Sequence, residues 1–368
     1  MERDRGREAV LRRSTMSIDL TIIARPARAA LACTLAALAL CAAAAAQAGA
    51  STLVIEGAGD GHGVGMSQDG ALGYAQHGWT AAAIIAHYYT GTTLGQAPAS
   101  RPVKVLEGSR VVSVPLERYV RGVVAAEMPS SWPLAALEAQ AIASRTYALT
   151  DDAGGARFDV YSDTRSQMYV GAAAETAATN AAVAATAGQI VLYQGKPAIT
   201  YYFASSGGMT EDNENSFLGS TPEPWLRGVA DAYETKAAGW KLSLSFASAA
   251  ARLRGLVKGS FRGIEVLRRG VSPRIVAAEV LGSRGNSPVS GPELAARLGL
   301  TSTWAYFSVK RGASVRREPD VSGHNPFSPP APESPPAAPA PPSTNPQGGA
   351  QAPGAAVATS ATGGASAG

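Results

Sequence analysis

Residues 116–149 place two ionisable side chains where apolar ones are expected. Stepping from Leu116 in strides of 3.6 residues, one helical face passes Tyr119 or Val120 and then Val123, and arrives at Glu127. A carboxylate in the last turn of a helix, on its apolar stripe, is disfavoured as an anion twice. Burial strips its hydration, and the negative end of the helix dipole repels it. Its pKa is expected to rise, which suits a group that donates a proton near neutral pH. On the following helix Leu134, Leu137, Ala141 and Arg145 share a stripe, so a guanidinium also points inward. A buried Glu127–Arg145 ion pair fastening the two helices, or two unrelated charges at the edge of a face, fits the same spacing. On spacing alone that structural outcome is the commoner one.

Other chemistries find less support. Ser205, Ser206, Gly207 and Gly208 lie in an ASSGG turn, but the strained elbow of a serine hydrolase needs G-x-S-x-G, which is absent. The four histidines, His62, His77, His87 and His324, match no metal-ligand spacing. His62 sits between glycines in a run that lacks the Lys-Ser/Thr ending of a phosphate loop; such glycines let a bulky polymer approach the backbone. Both cysteines, Cys33 and Cys41, fall in the first 48 residues. Once that segment is removed, disulfides, cysteine nucleophiles and thiolate metal sites are all excluded. No metal and no cofactor is expected.

The elements that must carry these residues alternate between helical and extended. Residues 67–90 read as two short helices broken at Gly78. Strands are expected at 102–106 and 110–114 around Gly108, then helices at 116–127 and from after Ser131 to about Leu149, and an alanine-rich helix at 173–187. Extended segments at 189–194 and 197–204 flank Gly195-Lys196, a hairpin turn. Short strands near 261–267 and 274–281, a helix at 291–298 and a strand at 304–310 complete the pattern. The fold class is α+β, or mixed α/β: a single large core with a substrate groove, and long connections at 205–235.

Composition sets the boundaries. The 368 residues carry a formal charge of +4, but residues 1–48 hold seven arginines and four acids, so the rest is near neutral with 25 basic and 24 acidic side chains. That sum gives no basic face of the kind nucleic acid requires. Residues 1–48 read as a secretory signal peptide. Arg25 and Arg28 precede an apolar run at 29–46, and Ala46, Gln47 and Ala48 offer a small-residue cleavage site. An uncleaved membrane anchor is the alternative. Residues 319–368 hold half of the 24 prolines and only Asp320 and Glu333 as charges, the composition of a disordered tail. The working domain is then 49–318, in a secreted, extracytoplasmic protein.

The stretch LERYVRGVVAAEMPSSWPLAALEAQAIASRTYAL at 116–149 resembles the stage II sporulation protein D and amidase-enhancer (LytB-type) family of cell-wall proteins. SQMYVG at 166–171, ETAATNAAVAATAGQIV at 175–191, YYFASSGGMTED at 201–212 and LAARLGLTSTWAYFSV at 294–309 resemble further family blocks in order, and so does GHGVGMSQDGALGYAQHGWTAAAIIAHYYTGTTL at 61–94. That last block is expected near the C-terminus and here comes first, so the core resembles a circular permutation. If so, residues 53–65 pack beside the strand at 304–309, because permutation requires the original termini to be close. A cysteine-dependent zinc site found in some relatives cannot form here.

The resemblance implies a lytic transglycosylase of peptidoglycan, cutting the β-1,4 bond after N-acetylmuramic acid and leaving a 1,6-anhydro end. Most glycosidases need two carboxylates; here the sugar's C6 hydroxyl is the nucleophile, and one carboxyl serves as acid and then base. The family's catalytic glutamate matches Glu127. Arg145 falls in the Ala-Arg-Thr-Tyr segment, where the resemblance implies substrate binding or orientation of Glu127. Ser205, Ser206, Gly207 and Gly208 are assigned to a loop lining the same groove, with Tyr201 and His62 as further substrate contacts. The partners implied are peptidoglycan glycan strands and a cell-wall amidase. The other reading the family offers is a non-catalytic enhancer of an N-acetylmuramoyl-L-alanine amidase. The family name implies a sporulation role in some members.

Overall fold

The computed structural model describes residues 51–97, 101–234 and 239–311, and the backbone of 314–317. The expected signal peptide and proline-rich tail lie outside the described residues. Chain order begins with strand β1 (Thr52–Gly57), strand β2 (Met66–Ser67), and helices α1 (Gln68–Gln76) and α2 (Ala81–Tyr88), parted at Gly78, whose φ is +82°. Strands β3 (Thr93–Gln96), β4 (Pro102–Glu107) and β5 (Arg110–Pro115) follow, and then the two site helices, α3 (Leu116–Glu127) and α4 (Leu134–Thr150). After β6 (Val160–Tyr161) and a 3-10 turn at Gly171–Ala174 come α5 (Ala177–Ala185), β7 (Gln189–Tyr193), β8 (Lys196–Pro197), β9 (Tyr202–Phe203) and a single turn, α6 (Asn213–Ser216). The last stretch is β10 (Trp240–Ser245), α7 (Phe246–Arg252), β11 (Phe261–Arg269), β12 (Ile275–Gly282), β13 (Ser287–Ser290), α8 (Gly291–Leu298), β14 (Ala305–Arg311) and β15 (Ser314–Arg317).

The α+β expectation holds, and both helices of the 116–149 stretch sit where their periods put them. The alanine-rich helix is shorter than expected, because Glu175 leads into a fresh start at Thr176. That residue's side chain accepts from the Thr179 N–H and so caps α5. The extended stretch after Gly195 is also mostly loop. Only Lys196–Pro197 and Tyr202–Phe203 pair, the latter with Met66–Ser67 in a two-stranded parallel contact.

Two hydrophobic cores form. The first gathers α1 to α5 with β4, β6 and β7, and includes Tyr88, Tyr119, Val123, Leu137 and Ile142. The second is built from β1, α7, β10 to β14 and α8 around Leu53, Ile55, Val280, Leu298 and Phe307. Strand β1 runs antiparallel to β14, Leu53 opposite Val309 and Gly57 opposite Ala305, with the ladder prolonged by Ala58 N–H to Trp304 O at 3.1 Å. This is the contact between 53–65 and 304–309 that the altered motif order requires. Strand β10 covers the other edge of β1, an element the sequence reading lacked.

Two buried charges join the cores. Arg274, from the second, donates to the carbonyls of Ser206 and Met209, both at 2.9 Å. Glu211, from the first, accepts from the Val271 and Ser272 N–H groups at 3.0 and 3.1 Å. Charge itself is divided. Residues 51–234 hold 10 basic and 18 acidic side chains, and residues 239–311 hold 12 basic and three acidic. The near-neutral sum therefore conceals a strongly basic second lobe, which corrects the inference from composition that no basic face exists.

Candidate active site

Helix α3 delivers Glu127 at its last residue, after Leu116, Tyr119, Val120, Val123 and Val124 have been buried along the stripe. Glu127 is half-buried. Its Oε1 accepts from the backbone N–H of Met168 at 2.7 Å, and its Oε2 from Nε2 of Gln68 at 3.2 Å. Burial pushes its pKa above the usual carboxylate range. Hydrogen bonds from Met168 and Gln68, together with the neighbouring Tyr202 hydroxyl, favour the anion and hold part of that rise back.

The donors are themselves held. Gln68 Nε2 also reaches Gln140 Oε1 at 3.4 Å, and Gln140 Nε2 donates to Ser144 Oγ at 2.9 Å. Tyr202 OH donates to Gln167 Oε1 at 2.7 Å, and Gln167 Nε2 donates to Tyr119 OH at 3.0 Å and Ser144 O at 3.2 Å. Gln140, Ser144 and Gln167 are essentially inaccessible, so each of these polar groups depends on its partner. Two strands with two residues each set the arrangement. Pairing Met66 with Tyr202 and Ser67 with Phe203 brings Gln68 and Tyr202 to the same carboxyl, and Ser67 Oγ caps α1 by accepting from Gly70 N–H at 3.1 Å. Gly65 permits the approach: its φ is +77°, and a Cβ there would meet the Tyr201 carbonyl oxygen.

Gln68, Gln140, Gln167, Met168 and Tyr202 were not among the residues singled out from sequence. Gln140 and Ser144 carry a legible signal, since two polar residues four apart on a largely apolar helix need partners. The Met168 contact is made by backbone and leaves no side-chain signal.

Arg145 lies elsewhere, and the expectation that it orients Glu127 or meets substrate is corrected. It is completely buried and grips Glu117 with Nε and Nη2, each at 2.8 Å, while Nη1 donates to the Gln189 carbonyl at 3.0 Å. The reason is angular. Gln140 and Ser144 occupy the face of α4 turned to Glu127, and Arg145, about 100° further round, faces β7 and α5.

The ASSGG turn is also occupied. Ser205 Oγ donates to Glu234 Oε1, and Ser206 Oγ lies 2.8 Å from Asp231 Oδ2 and 2.6 Å from Glu234 Oε2. Gly208 N–H donates to both Ser206 Oγ and Glu234 Oε2, at 3.0 and 2.8 Å. Gly207 allows the bend with a φ of +79°. One hydroxyl has one hydrogen. Ser206 can donate to only one carboxylate, and a proton on Asp231 would make the other contact a hydrogen bond as well. Asp231 is buried, and burial together with the charge of Glu234 pushes its pKa up to about 7. These serines are thus taken up by two acids rather than offered to a ligand.

His62 Nδ1 accepts from the Val64 N–H at 3.1 Å, and its ring packs on Tyr201, Phe203 and Phe217. Burial and the Arg274 charge push its pKa down to about 4, so it is neutral near pH 7. Tyr201 is half-buried. Its carbonyl accepts from Tyr89 OH at 2.8 Å, and its ring meets Tyr147 edge-on. A second half-buried acid, Asp151, stands at the end of α4 and accepts from Ser166 Oγ at 2.6 Å. Ser166 and Met168 thus tie two carboxyls to one short segment. Among the described residues no group of three or more His, Cys, Asp or Glu is arranged to hold a metal, and no helix is long and apolar enough to cross a membrane.

Comparison with known proteins gives this geometry a context. Residues 107–193 match a family described as stage II sporulation protein; the matched stretch holds Glu127, Gln140, Gln167 and Met168, and leaves Gln68 and Tyr202 outside. Stage II sporulation protein D of Bacillus subtilis is 30% identical over 244 residues, covering 61% of this chain and 68% of its own. The amidase enhancer of Bacillus subtilis is 34% identical over 126 residues, 34% of this chain and 17% of its own. A Brachyspira hyodysenteriae protein titled as uncharacterized is 40% identical over 117 residues, 31% of each chain. The chain therefore spans about a third of the Brachyspira relative and less than a fifth of the enhancer.

Proposed function

The chain belongs to the stage II sporulation protein D family, and from that membership we propose that it is an extracytoplasmic cell-wall protein that cleaves peptidoglycan glycan strands as a lytic transglycosylase. Residues 49–318 form its working domain, preceded by a signal peptide and followed by a proline-rich tail. Glu127 is the single general acid and base. The observation that carries this reading is one half-buried carboxyl, raised in pKa, whose two oxygens each have a donor in place.

In the first step protonated Glu127 donates to the oxygen linking N-acetylmuramic acid to N-acetylglucosamine, and the C1–O bond breaks. The carboxylate so formed is met by Met168 N–H and Gln68 Nε2, which need no reorganisation to receive the charge. In the second step Glu127 takes the proton of the muramic C6 hydroxyl as O6 closes on C1. The product is a 1,6-anhydro ring, no water is consumed, and the carboxyl is again protonated. A buried Arg145 leaves this chemistry to the carboxyl and its amide donors; its task is to anchor α4.

The test compares the parent chain with Glu127→Gln on peptidoglycan and on peptide-stripped glycan strands. Mass spectrometry should find 1,6-anhydro-muramic ends from the parent and none from the variant. The resemblance to an amidase enhancer supports a second reading, a wall-binding activator of an amidase. Binding of glycan by both forms, with cleavage by neither, would favour it. A role in sporulation rests on the family name alone.

A further inference from the structure

The second lobe carries a charge excess that the proposed chemistry does not use. Residues 239–311 hold 12 basic side chains and three acids, and β1 adds Glu56 to the lobe; Lys241 pairs with that Glu56 and Arg297 with Glu293, and Arg274 is buried. Arg252, Arg254, Lys258, Arg262 and Arg284 are exposed and have no carboxylate partner among the described residues. The backbone gathers them at one end of the lobe. Arg284 N–H donates to the Lys258 carbonyl at 3.1 Å, Arg297 reaches the Arg254 carbonyl at 2.9 Å, and Arg252 reaches the Leu298 carbonyl. Arg262 stands on the solvent side of β11, one residue from Phe261, which pairs with Gly282 beside Arg284.

Uncompensated like charges gathered on one surface destabilise the fold, and four of these five are arginines, whose planar forks suit phosphate oxygens. We propose that this end of the second lobe is a docking surface for a flexible, phosphodiester-linked polyanion of the poly(glycerol phosphate) type. A bilayer is the less suited partner, because no aromatic side chain of this lobe is exposed and aromatic anchors are the usual complement of a membrane-docking face. The absence of exposed rings also removes the stacking platform that a single-stranded nucleic acid would use. That the polyanion belongs to the wall rests on the envelope reading above. The polyanion-binding face itself is independent of it. Docking there would hold the protein on the wall while the first lobe works on glycan.

The experiment titrates the full chain with lipid-free poly(glycerol phosphate) between about 50 and about 300 mM NaCl, alongside vesicles of phosphatidylglycerol. Arg254→Glu, Lys258→Glu, Arg262→Glu and Arg284→Glu are combined in one variant. A charge-matched control combines Arg110→Glu, Arg118→Glu, Arg157→Glu and Lys196→Glu on the first lobe. All eight side chains are exposed, and melting curves verify that both variants fold. The expected result is at least about a tenfold loss of polymer affinity in the second-lobe variant, a log–log salt slope shallower by about three, and affinity within about threefold of the parent in the control. Equal losses in both variants would show that net charge alone governs binding and would overturn the assignment. So would unchanged affinity in the second-lobe variant, or binding to vesicles without binding to free polymer. Glycan cleavage plays no part in the readout, so its failure and the failure of the transglycosylase reading are separable.

Discussion

The backbone N–H of Met168 donates to Oε1 of Glu127 across 2.7 Å. Among substitutions only proline would remove it, and it favours the charged carboxyl against a burial that disfavours it. Gln68 does the same to Oε2 with a group that mutation can delete.

Replacing Gln68 with Leu should raise the pKa of Glu127 further, because a donor to the anion is lost while burial stays. One charge-assisted hydrogen bond is worth about 1.5–3 kcal/mol, so the alkaline limb of the pH profile, where the acid form disappears, should move up by about one to two units. Cleavage rates measured across pH will show this. A fall in rate with no movement of that limb would mean that Gln68 serves packing alone.

Asp151 is the nearest test of whether one carboxylate suffices. In Asp151→Asn the rate of anhydro-end formation should remain within about threefold of the parent. A hydrolase working with two carboxylates would lose several orders of magnitude.

Arg145→Met should cost about 1–3 kcal/mol, because buried carbonyls such as that of Gln189 lose their donor, while Glu117 is partly solvated and keeps the Gly188 N–H at 3.2 Å. Chemical denaturation will measure the loss. Per folded molecule, glycan cleavage should be unchanged at a temperature where the variant is folded. A selective fall in turnover would return Arg145 to the site.

Asp231 makes stability depend on pH. Its folded pKa, about 7, lies above its unfolded value, so between about pH 4 and 7 the folded chain holds a proton that the unfolded chain has released. Stability therefore falls as pH rises through that window, by up to about 4 kcal/mol at 1.36 kcal/mol per unit. Asp231→Asn mimics the protonated acid and should flatten the dependence, gaining on the parent above pH 7. Parallel stability curves for the two proteins would contradict the shared-proton arrangement at Ser206.

Residues 116–149 were legible because a helical period states both the element and its buried face. Glu127 could be found there because a carboxylate on an apolar stripe is conspicuous. Arg145 was conspicuous for the same reason and misled, since periodicity says that a side chain points inward without saying toward which neighbour. Its partner Glu117 sits in the first turn of α3, ten residues before Glu127. Gln68 and Tyr202 could not be placed, because what joins them is a parallel contact of two residues between segments 136 positions apart. The serines of the ASSGG turn resembled ligand contacts until Asp231 and Glu234, some 25 residues on, were seen to consume them. The basic lobe was invisible to a sum over the whole chain, because the opposite excess in residues 51–234 cancels it.

The central claim is that Glu127 acts alone and that the sugar's own C6 hydroxyl, not water, attacks C1. Digesting peptide-stripped glycan with the full chain in water enriched in oxygen-18, and weighing the fragments, tests it directly. Muramic ends lighter than the hydrolysed form by one water and free of heavy oxygen are expected. Reducing ends carrying oxygen-18 would contradict it, and would identify a hydrolase that needs a second group to activate water.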